Sequence, residues 1–236
     1  MEILDYFKLP KKAIIDQRIY VKDLIQFAEA VGPTKTMIEK SIDTIHLVGI
    51  LTEDTSSIWK YEDESYLYEE IELIKVDLKD DSKIKQLNEE IQRVFPNPVI
   101  VVYEYKEIYL LSTALKRKNK LDNKKSVIDS ITTTQWFKLD SMHNDLLSKI
   151  NYDKKNLKEF YEQIDYILSA EYVALITNKV PEVIDFTIKA KSLMIQELLA
   201  RKKELEEQEK EESSMQGKMQ CHMQIKAIED KLKKIN

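Results

Sequence analysis

The stretch PNPVIVVY, at residues 96–103, carries the strongest strand signal in the chain. Proline fixes φ and disfavours helix in the residue before it, so Pro96 and Pro98 predict an extended turn. The β-branched and aromatic residues that follow favour a strand. A turn at residues 104–106 and a second apolar run at 108–112 then predict a β-hairpin. This turn lacks the glycine or asparagine that is typical of such hairpins.

Helix and strand patterns alternate on both sides of this hairpin. Apolar residues recur at helical spacing in three segments, residues 20–31, 34–42 and 82–95. Short apolar or β-branched runs predict three further strands, at residues 45–51, 71–78 and 132–137. The pattern therefore predicts an α+β domain over residues 1–140, with a small mixed β-sheet of four or five strands and flanking helices.

After Asp140 the strand signals end and helical spacing continues along the rest of the chain. Residues 141–181 are predicted to form a helical connector. Residues 182–236 contain two narrow apolar stripes, separated by a charged break at residues 206–217. Two such helices should fold back on each other, so we predict a long antiparallel helical hairpin that resembles a coiled coil.

The apolar stripes of this hairpin are candidates for docking a protein partner, because association of a helix with a groove needs apolar side chains at helical spacing. The candidate docking residues are Ile188, Ile195, Leu198, Met219, Ile225 and Ile228. An adaptable docking surface would also use the flexible side chains of Met194, Met215, Met219 and Met223. Packing of the two stripes against each other is the alternative, and self-association is a further one.

Composition restricts the classes of function. The chain has 236 residues, of which 43% are hydrophobic and 33% charged, as in folded proteins. A net charge of -5 means that any nucleic-acid contact must be local. The three glycines argue against loops that cradle a nucleotide cofactor, so we expect no cofactor. A single cysteine and the lack of a signal-peptide or membrane-spanning pattern predict a cytoplasmic protein without a membrane partner.

Three charged residues suggest a metal-dependent nuclease as one alternative. Such sites need carboxylates around a hard cation and a lysine near the attacked phosphate, which Glu70, Glu72 and Lys75 could supply. Side chains alternate along a strand, however, so Glu70 and Glu72 share a face and Lys75 points to the other. A half-solvated strand face is the competing interpretation.

A basic loop at residues 116–125 suggests a second alternative, direct binding of nucleic acid. Its cationic side chains could contact phosphates in a salt-dependent manner. They are Lys116, Arg117, Lys118, Lys120, Lys124 and Lys125. Charged loops are commonly only solvated, which is the competing interpretation.

The histidines and the cysteine do not predict a metal site. His46, His143 and His222 are widely separated in sequence, and the pair Cys221-His222 alone lacks the spacing of a zinc motif. His222 lies near the apolar stripe of the last helix, so a hydrogen-bonded histidine within that stripe is expected. Cys221 is expected to be inert.

Two segments resemble the bacterial domain-of-unknown-function family 4391. The proline-bracketed strand at 96–102, followed by residues 108–116, is similar to the family's order of helix, strand, hairpin and basic residue. Residues 215–226 are similar to the family pattern Phe-Asn-Arg-Lys-Val-Glu-Leu-Asn-x-x-Leu-Lys. Lys218, Ile225 and Lys226 agree with that pattern, whereas Gln220 and His222 replace its glutamate and second asparagine.

The resemblance implies a function only by association. Members of the family look like companions of helicase- and DNA-methyltransferase-type genes in bacterial restriction or phage-defence clusters, and no catalytic residues are established for them. We therefore expect a non-catalytic accessory protein that interacts with an enzyme of the helicase or methyltransferase class. The rival hypotheses are a metal-dependent nuclease and a direct nucleic-acid-binding module.

Overall fold

A computed structural model describes residues 2–121 and 126–235. It confirms an α+β fold with a mixed sheet, flanking helices and a C-terminal helical hairpin. The strands are β1 (Ile14–Ile19), β2 (Ile42–Thr52), β3 (Tyr61–Glu62), β4 (Leu67–Tyr68), β5 (Glu70–Leu78), β6 (Val99–Tyr105), β7 (Ile108–Lys118) and β8 (Ser126–Thr133). The helices are α1 (Val21–Phe27), α2 (Gly32–Ser41), α3 (Glu53–Ser56), α4 (Ile84–Val94), α5 (Ser141–Ser148), α6 (Leu157–Thr177), α7 (Phe186–Glu211) and α8 (Met215–Lys233).

The main sheet has six strands in the order β1-β2-β5-β6-β7-β8, and β3 and β4 form a separate two-stranded sheet. Strands β5 and β6 are parallel, and every other neighbouring pair is antiparallel. A parallel pair needs a crossover, which α4 provides between β5 and β6. The N-terminal ends of β5 and β6 consequently lie side by side, with Glu72 opposite Val99.

One face of the sheet packs against α1, α2 and α4. A buried cluster joins Leu24, Ile38 and Ile91 from these helices to alternate strand residues such as Val101 and Tyr103. The Tyr103 hydroxyl donates a hydrogen bond of 2.9 Å to Asn88 Oδ1 within this core. The polar end of a buried tyrosine is therefore satisfied by the helix that the strand packs against.

Several strand boundaries differ from the sequence prediction. The edge strand β1 is exposed along most of its length and has no alternating apolar pattern that would have identified it. Strand β7 continues to Lys118, and β8 begins at Ser126, so the basic segment at 116–118 is strand and not loop. The last strand ends at Thr133, and residues 134–137 lie outside it.

The hairpin between β6 and β7 closes without glycine. Lys106 and Glu107 both have positive φ, of 49° and 63°. Positive φ at two successive residues is the geometry of a type I′ turn, which suits the twist of antiparallel strands. Two residues with ordinary side chains occupy the left-handed region here, which explains why the turn type could not be predicted from composition.

By its internal contacts the chain divides into two compact units, Met1–Leu168 and Ser169–Asn236. The division into segments 1–140, 141–181 and 182–236 stays a prediction. Within the second unit, α7 and α8 pack as an antiparallel hairpin, joined by residues 212–214. Ser214 caps α8 by accepting a hydrogen bond from the Gly217 N–H at 3.0 Å.

Truncation of Ile91 tests the core between α4 and the sheet. Ile91 is 1% exposed, so Ile91→Ala should lower the free energy of unfolding by about 2–5 kcal/mol, because it removes buried methyl groups and leaves a cavity. Chemical denaturation measures this change. The exposed Glu89 on the same helix provides the control, since Glu89→Ala should change stability by no more than about 0.5 kcal/mol. Equal effects of the two variants would contradict this packing.

Candidate functional site

Strands β6 and β7 separate at one end, and the Tyr161 hydroxyl lies where their pairing stops. Their register runs from Tyr105 opposite Ile108 to Val101 opposite Ser112. Beyond that point, the Tyr161 oxygen accepts a hydrogen bond of 2.8 Å from the Ala114 N–H. Its proton is directed to carbonyl oxygens of the two strands, Val99 at 2.9 Å and Ala114 at 3.1 Å. A side chain of α6 therefore satisfies the backbone groups that the separating strands leave unpaired.

Lys116 fills the same gap closer to its open end. Its Nζ donates hydrogen bonds to the Phe95 carbonyl at 2.6 Å and to the Asn97 carbonyl at 2.8 Å. The residue is only 3% exposed. Lys116 was predicted to lie in a solvated loop, and this is wrong because its stem follows β7 and its amine is held under the turn at residues 96–98. The sequence gives no signal for this burial, since lysines are rarely buried.

The two carboxylates of the predicted nuclease site meet this turn from β5. The Asn97 amide donates to Glu70 Oε1 at 2.5 Å and to Glu72 Oε1 at 3.3 Å. Burial raises the pKa of Glu72, and the hydrogen bond from Asn97 opposes that shift. Burial lowers the pKa of Lys116 to about 7, and the nearby charge of Glu72 opposes it. The fold thus brings Glu70, Glu72, Asn97 and Lys116 together.

Lys75, the third residue of that predicted site, takes no part in this cluster. Its Nζ forms ion pairs with Asp77 at 2.9 Å and Glu104 at 2.8 Å. Asp77 also accepts a hydrogen bond of 2.5 Å from the Thr44 hydroxyl. Alternation along β5 places these groups on the opposite face from Glu72. In residues 2–121 and 126–235, no three His, Cys, Asp or Glu side chains are grouped so that they could hold a metal ion.

A pocket of about 290 Å³ opens beside Lys116. Its lining includes Leu67, Asn97, Lys116, Lys118 and Glu62. Lys118 Nζ donates to Glu62 Oε1 and to the Asp63 carbonyl, both at 2.7 Å. These bonds tie the end of β7 to the small β3–β4 hairpin, which forms one wall of the pocket.

The remaining cationic residues of the predicted basic loop differ in their surroundings. Arg117 pairs with Asp129 at 2.6 Å, and Lys120 is exposed. Lys124 and Lys125 lie outside the described residues. Binding of nucleic acid by the six cationic residues together stays a prediction.

The predicted docking residues divide into two groups. Ile188, Ile195, Ile225 and Ile228 are buried, and Leu198 is half-buried. These side chains therefore serve the packing of the fold and offer little surface to a partner. Met219 is different, because 67% of it is exposed.

Met219 belongs to a row of exposed methionines on α8. Met215, Met219 and Met223 follow each other at a spacing of four residues, which places them along one side of the helix. They are 84%, 67% and 64% exposed. We name these three residues the methionine row. Among the methionines predicted for docking, Met194 on α7 is also exposed, at 45%.

The histidines have local partners. His143 Nδ1 lies 2.7 Å from Asp140 Oδ1, and its ring stacks on Phe137 with centroids 3.9 Å apart. His222 was expected within the apolar stripe, but its side chain is 70% exposed and lies 3.6 Å from Glu209. The expected position within the stripe is wrong, because His222 lies at the exposed edge of the stripe, three residues before the buried Ile225 and close to Glu209 of α7.

Removal of the Tyr161 hydroxyl tests its role between the strands. Tyr161→Phe leaves the Ala114 N–H and the Val99 carbonyl without this partner in the buried core, and should lower the free energy of unfolding by about 1–3 kcal/mol. Chemical denaturation measures the loss. Tyr20, which is 56% exposed, provides the matched control through Tyr20→Phe. A Tyr161→Phe variant as stable as this control would contradict the assignment.

The buried amine of Lys116 should make stability depend on pH. Its folded pKa lies below the unfolded value, so between about pH 7 and 10 the unfolded chain binds a proton that the native chain does not. The free energy of unfolding of the wild type should rise with pH in that window, relative to Lys116→Met, with a slope of up to about 1.4 kcal/mol per pH unit. Denaturation at several pH values measures the difference. The exposed Lys120→Met is the control, and a flat difference for Lys116→Met would contradict the prediction.

Comparison with known proteins identifies a family but indicates no activity. Among the described residues, no helix combines the length and apolar character required to cross a membrane. No curated protein and no solved structure matches the chain. A family described as "Domain of unknown function (DUF4391)" matches residues 7–232. Since that match includes all the strands named above and nearly the whole helical hairpin, the chain belongs to the DUF4391 family.

Proposed function

We propose that this protein is a non-catalytic accessory protein of the cytoplasm that docks a larger nucleic-acid-processing enzyme, of the helicase or DNA-methyltransferase class. The docking surface is the methionine row on the helical hairpin. The observation that carries the proposal is the exposure of Met215, Met219 and Met223 on one side of α8. The class of partner rests on the family resemblance alone.

The chemistry of the row favours a protein partner. Methionine side chains are apolar, flexible and polarisable, so they adapt to the surface of another protein. Their spacing suits a groove that accepts one side of a helix. Complete burial of one such side chain is worth about 1.5–3 kcal/mol before the costs of association are subtracted.

The helical hairpin that carries the methionine row is stabilised by other residues. Its interior contains buried Ile195, Leu205 and Ile228, and Lys202 pairs with Glu229 at 2.7 Å across the two helices. Because the methionine row contributes little to that interior, it can be changed without loss of the fold. The surface and the packing can therefore be tested independently.

The carboxylates at the pocket favour a non-catalytic role. Glu70 and Glu72 share the amide of Asn97, and the two assigned hydrogen bonds of Lys116 go to backbone carbonyls. These contacts fix the turn at residues 96–98. A nuclease would require the same carboxylates to be directed towards a cation and a scissile phosphate.

The docking surface is tested by exchange of the methionine row for polar residues. A triple variant, Met215→Gln, Met219→Gln and Met223→Gln, keeps helix propensity and removes the apolar row. Affinity capture from the protein's own cells, with partners identified by mass, should recover a helicase- or methyltransferase-class enzyme with the wild type. Recovery should fall at least about tenfold with the variant. A tenfold loss of affinity corresponds to about 1.4 kcal/mol of association free energy.

A matched control lies on the same helix. Gln216, Gln220 and Gln224 are exposed at the same four-residue spacing, and their exchange for alanine should leave capture unchanged. Undiminished capture by the methionine variant would contradict the docking surface. Sedimentation of the purified proteins distinguishes a second copy of this chain as the partner, because only then would the wild type alone form a dimer that the variant loses.

A further inference from the structure

We infer that the pocket beside Lys116 binds a phosphate monoester, at a site separate from the methionine row and independent of the proposed docking function. The pocket has a volume of about 290 Å³ and lies where β6 and β7 separate. Its lining combines cationic side chains with apolar walls, and this combination suits a small phosphorylated ligand.

The charge of the pocket favours an anion. Lys116, Arg117 and Lys118 are among its lining residues, and within residues 2–121 and 126–235 Glu62 is the one carboxylate that lines it. Glu70 and Glu72 are close to Lys116 but are not part of the lining. The lining therefore has a formal excess of positive charge, and charge-assisted hydrogen bonds to phosphate are stronger than those between neutral groups.

Lys116 forms the inner end of the site. It is 3% exposed, and its assigned hydrogen bonds run to the Phe95 and Asn97 carbonyls. In its protonated form the amine has three N–H donors, so one remains after these two bonds. Burial without a full countercharge destabilises the ammonium, as its lowered pKa reflects. An anion in the pocket would supply that countercharge.

Lys118 forms the outer end of the site. The Glu62 carboxylate occupies the position on Lys118 that the ligand would take. Residues 116 and 118 lie two apart on β7 and therefore share a face of the strand. Glu62 Oε1 lies 2.7 Å from Lys118 Nζ, and both residues line the pocket. A phosphate oxygen can replace the Glu62 oxygen on Lys118, which makes Glu62 a competitor of the ligand.

The walls and the size limit what the phosphate is attached to. Leu67, Pro96 and Pro98 give the pocket an apolar side that suits an organic group. A volume of about 290 Å³ lies at the lower end of the range for ligand pockets, so the bound part is no larger than about one nucleotide. A small phosphorylated compound and the phosphorylated end of a nucleic-acid strand share this chemistry.

The site is tested by titration calorimetry with the full chain. The probes are adenosine 5′-monophosphate, adenosine, and a short single-stranded DNA with and without a 5′-phosphate. The monophosphate should bind and adenosine should not. Binding of both the monophosphate and the phosphorylated DNA identifies a strand end as an accepted source, whereas binding of the monophosphate alone identifies a small compound.

Variants of the two residues of the Lys118–Glu62 ion pair should change the affinity for adenosine 5′-monophosphate in opposite directions. Lys118→Met should weaken binding of the monophosphate by roughly tenfold or more, because it removes one charge-assisted hydrogen bond. Glu62→Gln should strengthen binding several-fold, because it removes the competing carboxylate. A gain of affinity cannot arise from misfolding, so the second variant supports the site even if the first is unstable.

Lys120→Met is the matched control. Lys120 is exposed, lies two residues from Lys118 and is not part of the pocket lining, so its loss should change affinity for the monophosphate less than about twofold. Equal weakening by Lys118→Met and Lys120→Met would overturn the site in favour of diffuse attraction by the basic segment. Absence of binding of either phosphorylated probe to the wild type, or weaker binding by Glu62→Gln, would also overturn it.

Discussion

The arrangement of the first unit depends on how the backbone groups between β6 and β7 are satisfied where these strands stop pairing. A buried N–H or carbonyl without a partner costs about 1–3 kcal/mol, so separating strands need replacement partners. The Tyr161 hydroxyl is the replacement partner for backbone groups of Val99 and Ala114. The Lys116 amine is the replacement partner for the carbonyls of Phe95 and Asn97. Tyr161 reaches the gap from α6, whereas Lys116 belongs to β7 itself.

This separation also creates the pocket. Were β6 and β7 paired along their full length, Lys116 would lie beside a closed ladder and the turn at residues 96–98 would have no space beneath it. The carboxylates of Glu70 and Glu72 approach from the parallel neighbour β5 and fix the turn through Asn97. A single irregularity in the sheet thus gathers charged residues from β3, β5 and β7 around the α4–β6 turn.

The second unit uses apolar residues for two separate purposes. Ile195, Leu205 and Ile228 are buried in the fold, whereas the methionine row faces solvent. Both groups follow helical spacing, so periodicity alone cannot tell them apart. Solvent exposure distinguishes the two groups, because the side of α8 that faces α7 is buried and the opposite side is exposed.

The sequence by itself determined the α+β class, the hairpin at β6 and β7, and the two long C-terminal helices, because these depend on local periodicity and on proline and β-branched residues. It also predicted that Lys75 points away from Glu72, since alternation is a property of the strand itself. It missed β1, whose residues are exposed and lack a pattern, and it assigned Lys116 to a loop. Only the tertiary structure placed Lys116 under the 96–98 turn and joined it to Glu72, because both positions result from contacts between strands far apart in the chain, which no local pattern encodes.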